Sequence, residues 1–411
     1  MLVLAPDNPE AQLNDFDFAG MIARNAGVHV VRLDPERAYS AGGIAGLERA
    51  VERELREQAI DVLVYALGTE FDFDPRFFGN LAGVYKILEL GDDEHYFEPL
   101  HRHYAPFFDL VLTTNPACER YRDLGVEPIF QPGVFSSAVF NPGSERRKDY
   151  DVSFIGAMDK VGRAHYASAL AHAGIDVQLF GAGTAAGIVS PAQVVDIYRR
   201  SRINLNFTGG ALRTPLERDP AVNRKVRQVK GRMSKIALCG SFNLSEDAPG
   251  IERLFAVAEE IDVFRDERQL VEKVRFYLAH AEHREAMAAR AQARALKDYD
   301  ETKFWPHLVR SVEQRMHDRV SRNTPAQGRA LEPTFWSGFG AWRFKYVVVF
   351  LFAGRPGLLA REIGLLLRVG RFKPSAALWF AAAGLAAAER SSRGAAALRR
   401  WIRSSRRVLH A

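Results

Sequence analysis

Short apolar runs of strand length alternate with stretches of helical period through the first three hundred residues. Leu2–Ala5, Val28–Leu33, Val62–Ala66, Tyr85–Leu90 and Asp109–Thr113 read as strands, with helices expected near Phe16–Ala26 and Ile44–Gln58. After a polar, turn-rich linker over 141–149 the alternation restarts. Strands are expected at Asp151–Gly156, Asp176–Phe180, Ile203–Phe207, Phe242–Ser245 and Asp262–Phe264. The helices between them are His165–His172, Pro191–Ser201 (capped by Ser190) and Val229–Cys239. A long helical pattern, Glu267 to about Lys297, breaks near His280–His283. Strands that are apolar on both faces and separated by helices form parallel sheets covered on both sides. The expected fold class is therefore α/β, with two Rossmann-like doubly wound domains in series, 1–140 and 151–317, and a separate segment 336–411. Ligands of such sheets gather at the carboxyl ends of the strands.

Nothing in the composition calls for another way of holding the chain together. Two cysteines, Cys118 and Cys239, lie far apart with no CxxC spacing, which excludes a disulfide framework or zinc knuckle and favours a reducing compartment. The start, Met1 to Pro6, has no basic region ahead of its apolar run and reads as a strand. No window of 18 or more uninterrupted apolar residues suggests a spanning helix. The net charge of +6 is unevenly spread: 336–411 holds 14 Lys+Arg and 2 Asp+Glu, leaving 42 basic and 48 acidic residues in 1–335. An acidic body thus carries a basic tail.

Chemistry-bearing residues cluster at the expected strand ends. Gly156 closes a strand, and Lys160 and Arg163 follow in the loop before a helix. Glycine allows close backbone approach, and a helix N-terminus with two cations suits a diphosphate; a solvated basic loop is the plain alternative. A second cluster, Gln228 to Asp247, presents Lys230 and Arg232 on a short helix and leads into a strand that ends in Glu246 and Asp247, followed by Pro249-Gly250. In the first domain, the loop Leu90 to Tyr96 places Asp92 and His95 after a strand, where either could act as general base; a solvated acidic loop is equally compatible. His101 and His103 are two apart and point to different helix faces, which argues against a joint metal site. The pairs Asp15/Asp17, Asp72/Asp74 and Asp298/Asp300 have DxD form, read as chance in an acidic body.

The order of several segments resembles GT-B glycosyltransferases, most of all the CgeB-like (spore-maturation-protein-like) bacterial group. These are Val152-Ser153-Phe154-Ile155-Gly156 with Arg163, Ile203-Asn204-Leu205-Asn206, Lys230-Gly231-Arg232, Ala237 to Phe242 and Pro249-Gly250-Ile251, with looser matches at Phe107–Asn115 and Gln131-Pro132-Gly133. The resemblance implies a cleft between two domains, with a nucleotide-sugar donor on the second and the acceptor against the first. It implies no cofactor and no metal, the donor being a co-substrate. Lys160, Arg163, Lys230 and Arg232 would contact the diphosphate, and cationic stabilisation of that leaving group is worth about 3–4 kcal/mol per good donor. Asn206, Glu246 and Asp247 would contact nucleoside or sugar. Where relatives carry a ribose-binding glutamate and a second one eight residues earlier, this chain has Lys235 and Arg227. A cation cannot accept a hydrogen bond from a ribose hydroxyl, so a catalytically silent protein binding glycan or phosphate is the alternative. The basic run Arg213, Arg218, Arg224, Lys225 suits a polyanion or lipid phosphate as well as a nucleotide.

The tail interleaves apolar stretches with arginine and carries Trp336, Trp342, Trp379 and Trp401. That pattern fits helices in an anionic membrane interface. A helical subdomain packed on the acidic body is the competing reading, and RNA binding a third that no nucleic-acid module accompanies. The sequence therefore points to a cytoplasmic enzyme held at the inner face of the membrane, acting on a cell-envelope, polysaccharide or lipid-linked acceptor.

Overall fold

The structure, a computed structural model, describes residues 1–5, 18–67, 73–131, 133–144, 147–158, 160, 162–209, 226–321, 333–352 and 354–369. Asp15, Asp17, Asp72, the 211–225 basic run and the tail beyond 369, with Trp379 and Trp401, lie outside them.

The first domain holds strands β1 (Leu2–Leu4), β2 (Val31–Leu33), β3 (Val62–Ala66), β4 (Tyr85–Leu90), β5 (Leu110–Thr113) and β6 (Glu127–Phe130). They form one parallel sheet in the order β2-β1-β3-β4-β5-β6. Alternate residues supply two cores. Leu2, Leu63, Tyr65, Leu88 and Leu90 line one face, and Val3, Val62, Val64, Ile87 and Leu112 the other. Helices α1 (Phe18–Asn25), α2 (Pro35–Glu57) and α3 (Pro75–Asn80) come between the strands. Beyond β4, α4 (Asp93–Tyr96) passes through a π turn, Phe97–His101, into α5 (Arg102–Tyr104), and α6 (Arg120–Asp123) precedes β6. β6 has no counterpart among the expected strands. It is a short edge strand containing Pro128, and proline is tolerated there because an edge N–H needs no ladder partner.

The second domain repeats the plan. Strands β7 (Tyr150–Ile155), β8 (Val177–Phe180), β9 (Ser201–Asn206), β10 (Asn243–Glu246) and β11 (Asp262–Phe264) form a parallel sheet ordered β11-β10-β9-β7-β8. Helices α7 (Arg163–His172), α8 (Pro191–Arg200), α9 (Arg232–Leu238), α10 (Glu267–Ala279) and α11 (Ala281–Asp298) flank it. Ser190 closes a reciprocal capping box with Gln193 at the start of α8. The strand order reverses between β7 and β9, so their carboxyl ends open the crevice in which such sheets bind ligands.

Helix α12 (Glu301–Ser321) leaves the second domain and returns to the first. Trp305, Leu308 and Val312 join the core under Phe18 and Ile22, and Trp305 meets Phe18 edge to face at 4.7 Å. Helices α13 (Pro333–Phe352) and α14 (Pro356–Val369) form a hairpin on the same domain. Phe339 and Leu365 are buried in its core and Trp336 packs beside Phe107. The docked part of the basic segment is therefore held by apolar contact, and a buried Arg343–Glu362 pair ties the two helices at 2.5 and 2.9 Å.

Candidate active site

The second-domain wall is built where β7 ends. Arg163, at the first turn of α7, is 2% exposed and donates from Nη1 to the Ala157 carbonyl at 2.7 Å. Its guanidinium and that of Arg232, at the first turn of α9, both lie against the Phe154 ring, at 5.3 and 5.2 Å. Gly156 sits between them: a Cβ there would come within 3.2 Å of an Nη1 of each arginine and 2.8 Å of the Phe154 ring. The glycine is required for space. Lys230 is half-buried, and its ammonium donates to the Gln228 side-chain oxygen. Burial, reinforced by the charges of Lys160 and Arg232 and opposed by Asp92 and Glu94, pushes the Lys230 pKa down to about 8. Four cations named from sequence thus converge at the carboxyl end of one strand and the helix starts beside it.

The first-domain wall is the turn after β4. Asp92 adopts a left-handed backbone (φ 50°), a conformation that Asp tolerates better than most side chains. Its carbonyl accepts from the His95 amide at 3.0 Å. Across the cleft, the 4%-exposed Gln228 donates its side-chain amide to Asp92 Oδ1 at 3.0 Å and to Glu94 Oε2 at 2.9 Å. His95 is half-buried, and its Nε2 has no hydrogen-bond partner among the described residues. Burial lowers its pKa, Lys230 and Lys160 lower it further and Asp92 opposes them, so the ring is neutral at pH 7. Glu89, next to last in β4, is a half-buried carboxyl that burial pushes up to about 7.

Beneath this turn lies a buried anchor. The Asp93 carboxylate accepts from Tyr121 Oη at 2.6 Å and Thr113 Oγ1 at 3.1 Å, bonds His101 Nδ1 at 2.7 Å and pairs with Arg120 at 2.9 Å. Burial alone would raise its pKa; the hydrogen bond to His101, the Arg120 charge and the Tyr121 hydrogen bond hold it at about 2. His103 instead packs beside Phe339, and burial lowers its pKa to about 3.

The remaining sequence-named residues are placed differently. Asn206 is fully buried and donates to Ser245 Oγ at 2.8 Å. Glu246 Oε2 accepts from the Thr208 and Gly209 amides at 2.8 and 3.2 Å, while Oε1 accepts from Tyr166 and pairs with Arg227 at 3.0 Å. Glu246 therefore anchors the loop after β9. Asp247 pairs with Arg265 at 2.8 Å. Gly250, at φ +79°, packs against Pro116 of the first domain, where a Cβ would lie 2.4 Å from the proline ring. Lys235 is 6% exposed, with its ammonium 4.7 and 5.2 Å from the rings of Phe135 and Phe140. Asp74 caps α3, and Asp298 pairs with Arg294. Among the described residues no cluster of three or more His, Cys, Asp or Glu is arranged to hold a metal ion.

Gln228, Glu94, Glu89 and the Asp93 anchor escape sequence reasoning. A glutamine carries no charge signal, and the acids that Gln228 joins are 134 and 136 residues away.

Residues 163–305 match a sequence family described as glycosyl transferase-like. Anabaena HepE, solved in complex with UDP and glucose, superposes with a TM-score of 0.52 at 12% identity, covering 78% of this chain and 99% of HepE. A glycosyltransferase from Rickettsia africae superposes at 0.55 with 7% identity, covering 77% and 98%. No curated protein sequence matches the chain. Two doubly wound domains facing a cleft, closed by a C-terminal helix that crosses back, make this a GT-B fold.

Proposed function

We propose that the protein is a glycosyltransferase that moves a sugar from a nucleotide-activated donor to an acceptor bound against the first domain. The observation that carries this reading is the gathering of Lys160, Arg163, Lys230 and Arg232 around the end of β7, opposite Asp92, Glu94 and His95. Like charges repel, so this arrangement is best satisfied by a dianionic diphosphate between them. The HepE structure holding UDP and glucose, and the family match over 163–305, support the same donor class.

In transfer with inversion, the acceptor hydroxyl attacks the anomeric carbon while the bond from that carbon to the diphosphate oxygen breaks. The acceptor proton passes to the neutral His95, with Asp92 alongside, and the cations take up the charge of the departing nucleoside diphosphate. A cell-envelope, polysaccharide or lipid-linked acceptor, and work at the cytoplasmic face of a membrane, complete the reading. A second reading, a silent GT-B protein that binds glycan or phosphate, is favoured by Lys235 and Arg227 standing where relatives have carboxylates and by the full engagement of Glu246. Donor hydrolysis and UDP titration on a nucleotide-sugar panel separate the two. The proposal expects turnover with at least one donor and weakened UDP binding in Lys230→Met. Binding without turnover of any donor selects the silent protein, and neither turnover nor UDP binding overturns the transferase.

A further inference from the structure

The α13–α14 hairpin buries a charged pair and leaves large apolar side chains outside. Arg343 and Glu362 are 2% and 1% exposed and paired with each other between the helices. The outward stripe of α14, at helical spacing, is Ala360, Ile363 and Leu367, with Ile363 43% and Leu367 79% exposed. Leu351, near the end of α13, is 59% exposed. Three of the seven large apolar side chains exposed among the described residues therefore lie on this one hairpin. Glu362 is the only acid between 336 and 369, and its charge is neutralised inside. What the hairpin offers outward is apolar surface and, at the turn between the helices, the exposed Arg355; Arg361 is half-buried and lies 3.9 Å from Glu362.

We propose that the outer face of this hairpin seats on an anionic lipid surface, with Ile363, Leu367 and Leu351 entering the acyl boundary and Arg355 meeting headgroup phosphates. Exposed apolar side chains with an exposed arginine at the turn and no exposed acid on the hairpin match such a surface in both hydrophobicity and charge. The seat is interfacial: among the described residues no helix is long and apolar enough to cross a membrane. The inner side of α13 packs against the π turn that follows the Asp92–Tyr96 loop, with Phe339 beside His103 and Tyr104. A seated hairpin thus brings lipid headgroups to the acceptor side of the cleft. That consequence rests on the proposed transfer reaction; the lipid seat does not.

The test is flotation of the full chain, without donor, with vesicles of equal parts phosphatidylcholine and phosphatidylglycerol or of phosphatidylcholine alone. The wild type is expected to float with the anionic vesicles and several-fold less with the neutral ones. Leu351→Asp with Leu367→Asp is expected to lower the bound fraction about tenfold or more, from the lost apolar burial. Both positions are more than half exposed, so folding is spared, and an unchanged melting temperature and UDP affinity confirm it. Should the pair still unfold, Arg355→Glu alone is expected to weaken flotation with the anionic vesicles. Failure of the wild type to float, or equal flotation of wild type and double variant, overturns the proposal. So does a lipid-free dimer that the double variant dissociates, which would assign the face to a second copy. Because no donor is present, loss of flotation and loss of sugar transfer are separate results.

Discussion

Lys230 is protonated at pH 7, but burial and its cationic neighbours leave its pKa at about 8. A bound diphosphate favours the charged form, so its affinity should be level below pH 8 and fall above it, by at most about tenfold per pH unit. Calorimetric titration of UDP from pH 7 upward checks this. Lys230→Arg, which does not titrate in this range, is expected to flatten the profile. The cations could be singled out from sequence by their place beside a glycine at a strand end, although a solvated basic loop fits the same residues; their convergence needed the fold. Asp92 and His95 were legible as residues, but their surroundings were not. The amide that holds Asp92 comes from the other domain, and the lowered pKa of His95 comes first from burial and then from Lys230 and Lys160 of that domain. Glu246 shows the opposite outcome: a carboxylate at a strand end looked like a ligand contact and is engaged by its own loop.

At the scale of elements, the two domains meet where the chain turns most closely. A Cβ on Gly133, in the loop after β6, would lie 2.4 Å from the Gly231 Cα just before α9. Gly133→Ala must push these backbones apart, and with them Lys230 and Gln228 from Asp92 and Glu94. We expect about 1–3 kcal/mol of destabilisation, read by thermal unfolding, and weaker UDP binding in the same variant. Strands β3, β4 and β11 fall within the ranges expected from their apolar runs, since a strand buried on both faces leaves a plain signal. Helix α2 begins nine residues before the expected Ile44, across a kink at Gly43 that interrupts its helical pattern. The short α3 and α4 were not foreseen, because one turn is too little for periodicity to register.

In the molecule as a whole, α12 joins the end of the second domain to the core of the first. Trp305 is 1% exposed there. Trp305→Ala is expected to cost about 3–5 kcal/mol and to loosen the first domain, although the residue follows the second in sequence; urea unfolding of the full chain measures it. The basic tail divides in a way its charge did not announce. Its described helices dock by Trp336, Phe339 and Leu365 and keep an apolar face outward. By itself the sequence determined the alternation of the main strands and helices, the two-domain α/β plan and the strand ends where ligands belong, since these follow from local periodicity and the rules of parallel sheets. Tertiary structure decided which charges gather where a ligand would sit. At the site, pairing, burial and the field of neighbouring charges depend largely on residues distant in sequence brought within a few ångströms, as Gln228 is to Asp92 136 positions away.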